Sequence, residues 1–75
     1  MNLKEALAVA KQEVNDLFAP VAPRDVRLEQ FLYDDHLAVW SLTIGYARPD
    51  QPEIRNYKIV RVFEADKSVL SVGDR

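Results

Sequence analysis

The chain has 75 residues, of which 48% are hydrophobic and 29% charged, and its formal net charge is −2. This composition is that of an ordinary globular domain, so intrinsic disorder and a strongly basic nucleic-acid-binding protein are both disfavoured. The sequence contains no cysteine and a single histidine. Disulfides, thiol catalysis, iron–sulfur clusters and metal sites built from several histidines are therefore excluded.

The first segment, residues 2–18, is predicted to form an amphipathic helix. Its apolar residues recur at intervals of four, three, four and three positions, which places them on one stripe: Leu3, Leu7, Ala10, Val14 and Leu17. Asn2 and Glu5 have the spacing of a capping box at the start of this helix. Two prolines within residues 19–23 end it, because proline lacks the N–H group that a helix needs.

From residue 25 onward the apolar residues alternate with polar ones, which is typical of β-strands. Turn residues divide this part into four predicted strands, at residues 25–33, 37–47, 54–64 and 68–72. The connections at 34–36, 48–52 and 64–67 are short, and short connections favour antiparallel pairing of neighbouring strands. We therefore expect a single α+β domain over residues 1–75, in which one N-terminal helix packs on a four-stranded antiparallel meander sheet.

The second and third predicted strands carry apolar residues on both faces. One face of the second strand would hold Trp40, Leu42, Ile44 and Tyr46, and one face of the third would hold Tyr57, Ile59, Arg61 and Phe63. A single helix covers about one face of such a sheet, so uncovered apolar surface is expected to form an interface. The alternative is that sheet twist and the proline loops cover this surface. Gly45, inside the second strand, predicts a bulge or a close backbone approach.

The order of these features resembles that of the small PepSY-like domains. The residues that carry the resemblance are the helical run from Glu5 to Ala10, the strand from Tyr57 to Val62, Asp66 at the turn, and Val69–Val72. The sequence departs from the family pattern at Lys67 and Ser68, where a glycine is usual, and in its lack of the usual export signal. The resemblance implies a non-enzymatic domain that binds or restrains a partner protein.

Two groups of residues could carry other functions. Asp34, Asp35 and His36 could form a small catalytic or metal site, although aspartate is also a standard turn residue and neighbours in a turn do not converge on one point. Arg55, Lys58 and Arg61, interleaved with aromatic residues, could bind single-stranded nucleic acid. The negative net charge and the lack of any basic run disfavour this second reading.

We therefore predict a small protein-interaction domain, with no enzymatic activity and no cofactor, that binds a partner protein or a second copy of itself through the open face of its sheet. The candidate interface residues are Val39, Tyr46, Arg48, Tyr57, Arg61 and Phe63. No segment has the length of a membrane-spanning helix. The N-terminal residues do not form an export signal, so a cytoplasmic location is expected, with an export signal removed earlier as the alternative.

Overall fold

A computed structural model describes all 75 residues. The α-helix α1 spans Leu3–Leu17, and a single 3₁₀ turn follows at Ala19–Val21. Four strands complete the chain: β1 (Arg24–Asp34), β2 (Val39–Arg48), β3 (Gln51–Phe63) and β4 (Val69–Asp74). The strands form one antiparallel sheet in the order β1-β2-β3-β4, so the predicted α+β meander is confirmed.

The predicted capping box starts α1. The Asn2 side chain accepts a hydrogen bond from the Glu5 N–H at 2.9 Å, and the Glu5 carboxylate accepts one from the Asn2 N–H at 3.1 Å. These two bonds satisfy donors that lie too near the helix start to have an intrahelical partner. Neither α1 nor the 3₁₀ turn has the length and apolar character needed to cross a membrane.

The hydrophobic core lies between α1 and one face of the sheet. The helix contributes Ala6, Ala10 and Val14, and the sheet contributes Leu42, Ile44, Tyr46, Val60 and Val62. The β2 and β3 rows predicted to lie on one face each are therefore confirmed, and α1 covers the face that holds Leu42 and Val60. Trp40 lies at the margin of this core and is partly buried.

The connection between β2 and β3 is shorter than the predicted loop at 48–52. It is a turn of two residues, Pro49 and Asp50, and β3 begins at Gln51 instead of residue 54. The register jumps here, because Ala47 faces Arg55 whereas Arg48 faces Gln51. This irregularity explains why Pro52 is tolerated inside a strand: proline lacks a backbone donor and is confined to bulges and edges.

Candidate interaction surface

The face of the sheet opposite α1, which we call the open face, has a centre of small residues. Ser41, Thr43 and Gly45 of β2 lie there, between the longer side chains of β1 and β3. Thr43 is only 7% exposed although no further layer covers it, because its long neighbours shield it. We expected uncovered apolar surface on the sheet, with sheet twist or the proline loops covering that surface as the alternative. Flanking side chains cover the centre instead.

Gly45 allows an ion pair to cross β2 on the open face. Arg55 Nη2 lies 3.4 Å from Glu29 Oε1, and Arg55 Nη1 lies 3.2 Å from an Asp25 carboxylate oxygen. A Cβ atom at position 45 would lie 2.8 Å from Glu29 Oε1 and 2.9 Å from Arg55 Nη2. The close approach at Gly45 is therefore made by side chains and not by backbone as predicted, and a register shift lies beside it in β1, between Leu28 and Gln30.

The exposed apolar surface gathers along β1, the first edge strand. Phe31, Leu32 and Tyr33 are consecutive and all exposed, and Leu37 in the following turn is exposed as well. Four of the seven exposed large hydrophobic residues of the chain lie in this short stretch. Exposed apolar residues scattered singly are normal, so their concentration here singles out the region.

Two rows of side chains leave this part of β1 in opposite directions. Phe31 and Tyr33 face the same side as Trp40, whose ring centroid lies 6.5 Å from that of Phe31 and 4.9 Å from that of Tyr33. Leu32 faces the open side, where it borders a shallow concavity together with Gln30, Ser41, Thr43, Ile59 and Arg61. Because α1 packs mainly over β2 and β3, nothing covers the aromatic row at the edge.

The direction in which each backbone N–H and C=O group of β1 points follows from the alternation along the sheet. The Glu64 N–H donates to the Ala38 carbonyl at 2.9 Å, and the Phe63 N–H donates to the Ser68 carbonyl at 2.9 Å. Backbone groups of successive residues point to opposite sides of an antiparallel strand. The bond between Ala38 and Glu64 shows that the even-numbered residues of β2 direct their backbone groups to β3, so Ser41 directs its groups to β1. Ser41 pairs with Leu32, and the backbone groups of Leu32 therefore point to β2. Those of Phe31 and Tyr33 point to the free edge.

We call residues Gln30–Asp34 the β1 edge segment. Register shifts interrupt β1 between Arg24 and Arg27 and again between Leu28 and Gln30, whereas Gln30–Asp34 pairs regularly with Val39–Thr43 of β2. The segment contains no proline and one charged residue, Asp34. Natural edge strands are commonly protected by charges, prolines or bulges. The β1 edge segment has this protection only at its ends.

The six predicted interface residues differ in their exposure in the structure. Tyr46 is wrong as a surface residue, because it lies beneath α1 at 5% exposure with its ring stacked on Phe18 at a centroid distance of 5.5 Å. Val39 lies on the open side but is only 4% exposed. The parity of the strand was read correctly from the sequence, but the row that faces the helix could not be chosen from it.

The other four predicted residues are at least partly accessible. Tyr57 and Phe63 are half-buried on the open face, and Arg61 is exposed there. Arg48 lies at the far end of the sheet, where it pairs with Asp50 at 3.2 Å. Sequence reasoning missed Phe31, Leu32, Tyr33 and Leu37. The signal was the run of three consecutive apolar residues, which cannot all face one core when side chains alternate.

The turn predicted at Asp34, Asp35 and His36 lies one residue later and is longer, because Asp34 still belongs to β1 and the turn spans residues 35–38. The Asp34 carboxylate accepts hydrogen bonds from the N–H groups of His36 at 2.9 Å and Leu37 at 3.1 Å. Such a carboxylate shapes the turn by replacing backbone partners. No group of three carboxylate or imidazole side chains converges anywhere in the chain in a way that could hold a metal ion.

The three predicted nucleic-acid-binding cations do not share one surface. Arg55 is 18% exposed and bound to Asp25 and Glu29. Lys58 lies on the α1 side, where it pairs with Asp74 and its amine lies 5.3 Å from the centroid of the Phe18 ring. Arg61 alone is exposed on the open face. The sheet therefore separates these charges, and two of them already have carboxylate partners.

Two carboxylates join the start of α1 to the turn between β3 and β4. The N-terminal ammonium group lies 2.6 Å from Glu64 Oε1, and the Trp40 indole N–H donates to Glu64 Oε2. Those two hydrogen bonds lower the pKa of Glu64, the amine having the larger effect. Lys67 Nζ lies 3.0 Å from Glu5 Oε2, and this contact, followed by the Asn2 N–H, lowers the pKa of Glu5.

Comparison with known proteins gave no relationship. No family model matches the chain, and no curated protein or solved structure is significantly similar to it. The resemblance to PepSY-like domains thus stays a prediction from the sequence, and function has to be argued from the surface itself.

Proposed function

We propose that this chain is a small non-enzymatic protein-interaction domain that binds a partner protein through the β1 edge segment and the adjoining open face. The observation that carries the proposal is the gathering of four exposed large hydrophobic residues between Phe31 and Leu37. Contiguous exposed apolar surface of this kind is characteristic of interaction sites. A cytoplasmic location stays a prediction of the sequence.

The geometry favours a partner that binds as an extended strand. The free N–H and C=O groups of Phe31 and Tyr33 would supply main-chain hydrogen bonds, as in other complexes formed by strand addition. A strand bound there would contact the aromatic row of Phe31 and Tyr33 on one side and Leu32 on the other. Arg61 borders the same concavity and would contribute a charge at its rim.

The alternative functions have less support. Nucleic-acid binding needs several free cations on one surface, whereas Arg55 and Lys58 are paired with carboxylates and lie on opposite faces. Catalysis at Asp34 needs a carboxylate free to act, whereas this one accepts two backbone hydrogen bonds from its own turn.

Affinity capture with matched variants tests the proposed function. The full chain serves as bait in lysate of its source cells, in the forms wild type, Leu32→Lys and Leu70→Lys, with and without nuclease. Leu32 is 67% exposed and Leu70 51% exposed, so both variants should fold. We expect proteins retained by the wild type and by Leu70→Lys to be lost from Leu32→Lys. Retention that is the same for wild type and Leu32→Lys, or that is lost on nuclease treatment, would contradict the proposal.

A further inference from the structure

We infer that a second copy of this chain binds at the β1 edge segment, adding its own β1 antiparallel across a two-fold axis that passes Leu32. This inference rests on the proposed function and names the partner. The sheet of one copy would continue into that of the other, giving eight strands with both helices on the same side.

The position of the two-fold axis follows from the part of β1 that pairs regularly with β2. Only Gln30–Asp34 of β1 is free of register shifts, and Leu32 is its midpoint. A two-fold axis at Leu32 therefore uses the whole regular segment of both copies. An axis at Phe31 would instead place Tyr33 opposite Glu29, which lies in the irregular part of the strand.

The same register satisfies the free backbone groups. It places Phe31 opposite the partner's Tyr33, and Tyr33 opposite the partner's Phe31. The backbone groups of both residues point to the free edge, as the alternation along the sheet requires. Each such pair can exchange two N–H to C=O hydrogen bonds, so the interface would hold four.

The side chains also match in this register. A two-fold axis perpendicular to the sheet keeps each face on its own side, so Phe31 and the partner's Tyr33 meet on the α1 side, beside Trp40. Leu32 meets its own copy on the open side. Asp34, the one charged residue of the segment, faces the partner's Gln30, so within the segment no like charges are opposed. Aromatic and aliphatic pairs across strands stabilise a sheet.

The expected dimer is weak. Five residues of each copy form the strand pair, which is fewer than the roughly 20–30 residues a side found in stable interfaces. A dissociation constant on the order of 0.1 mM is the expected range for such an interface.

Sedimentation equilibrium on the full chain tests the inference. We expect wild type and Leu70→Glu to dimerise alike, because Leu70 lies on the opposite edge strand. Leu32→Glu and Leu32→Lys should each weaken the dimer by at least about tenfold, because each places two like charges opposite one another. An equimolar mixture of the two variants should recover the dimer, since opposite charges then face each other across the axis.

A cysteine variant checks the position of the axis. The native chain has no cysteine, so Leu32→Cys introduces one thiol per copy. Residues directly opposed in a pair without backbone hydrogen bonds are close enough for a disulfide. Mild oxidation should therefore cross-link Leu32→Cys to a covalent dimer far faster than it cross-links Leu70→Cys. Equal rates for the two variants would overturn the proposed register.

The outcomes separate this inference from the proposed function. A wild-type chain that stays monomeric at about 1 mM overturns self-pairing. If the chain is monomeric but captures another protein, and Leu32→Lys no longer captures it, the proposed interaction function is still supported. A dimer that is insensitive to Leu32→Glu but weakened by Leu70→Glu overturns the inference in favour of the β4 edge. A monomer that captures no protein in a Leu32-dependent way overturns both.

Discussion

The two edges of the sheet differ in strand length and in the apolar side chains that they expose. The β1 edge belongs to a strand of 11 residues and exposes three consecutive apolar side chains. The β4 edge belongs to a strand of six residues, has a register shift opposite Arg61 and Val62, and ends in Gly73 and Asp74. Short, irregular and charged edges are protected against pairing with other chains. Both edge strands contain register shifts, but β1 keeps the regularly paired Gln30–Asp34 beside exposed apolar side chains, whereas β4 is the shorter strand and ends in a charge. The β4 edge is therefore the better protected of the two.

The two edges also differ in how side chains hold the turns beside them. The turn before β4 is bound to α1 through the pairs Lys67–Glu5 and N-terminus–Glu64. The turn after β1 has no ion pair to another element; its contacts are the Asp34 carboxylate within its own backbone and the hydrogen bond from the Glu64 N–H to the Ala38 carbonyl. Mutations on the two sides should therefore have different consequences.

The largest contrast is between two leucines given the same substitution. Leu42 is fully buried beneath α1, so Leu42→Ala should lower the free energy of unfolding by about 2–5 kcal/mol. Leu32→Ala at the β1 edge should change it by less than about 0.5 kcal/mol. Urea denaturation of dilute protein measures both. If Leu42→Ala does not fold, Ile44→Val, with an expected loss of about 1 kcal/mol, takes its place. Equal losses at Leu32 and at the buried site would mean that the β1 edge is part of the core.

The capping box at the start of α1 should give the second effect. Asn2→Ala removes the acceptor for the Glu5 N–H and should cost about 1 kcal/mol. Asn15→Ala, the same substitution at an exposed position near the other end of α1, should be neutral or slightly stabilising, because alanine has the higher helix propensity. Thermal unfolding of both variants checks this. A larger loss at Asn15 would show that the cap does not position the helix start.

The two glycines should respond differently to the same change. Gly45→Ala must displace Glu29 and Arg55, so we expect a loss of about 0.5–1 kcal/mol despite the better strand propensity of alanine. Gly73→Ala meets nothing within 4 Å and should be neutral or slightly stabilising. Chemical denaturation of the pair gives the sign directly. A stabilised Gly45→Ala would show that the crossing ion pair contributes nothing.

The smallest effect is the acid dependence of the contacts beside β4. Folding lowers the pKa of Glu64 below its ordinary value of 4.5, so its contribution to stability is complete above that value and is lost as the pH falls through the lowered pKa. Glu64→Gln should therefore reduce stability at pH 7, and the difference from wild type should shrink toward pH 3. Glu53→Gln, at an exposed carboxylate without an ion pair, is the control. A difference that grows on acidification would contradict this sign.

The sequence predicts the elements and their order well, for local reasons. The 3.6-residue spacing from Leu3 to Leu17 and the alternation from Val39 to Tyr46 each follow from one element alone. The boundaries shifted where a side chain or a register jump acted, as at Asp34 and at Pro52. The choice of covered face could not be read locally, because it depends on where α1 packs, and Tyr46 was misplaced for that reason.

The surface was harder to predict than the fold. Phe31, Leu32 and Tyr33 fit a strand pattern whichever face is buried, so their unbroken apolar run indicates that at least one of them is exposed but not that all three are. Their exposure follows from β1 being an edge strand, since α1 packs mainly over β2 and β3. Ser41 and Thr43 show the converse, since these small residues are shielded by longer neighbours although no further layer covers their face.

Amide hydrogen exchange at two protein concentrations tests the central claim, that the β1 edge is where a second copy pairs. Spectra would be recorded at about 20 µM and about 1 mM, on either side of the expected dissociation constant. We predict that the amides of Phe31 and Tyr33 exchange several-fold more slowly at the higher concentration, while that of Val72 on β4 is unchanged. Unchanged exchange at Phe31 and Tyr33, or slowing at Val72 alone, would contradict the account.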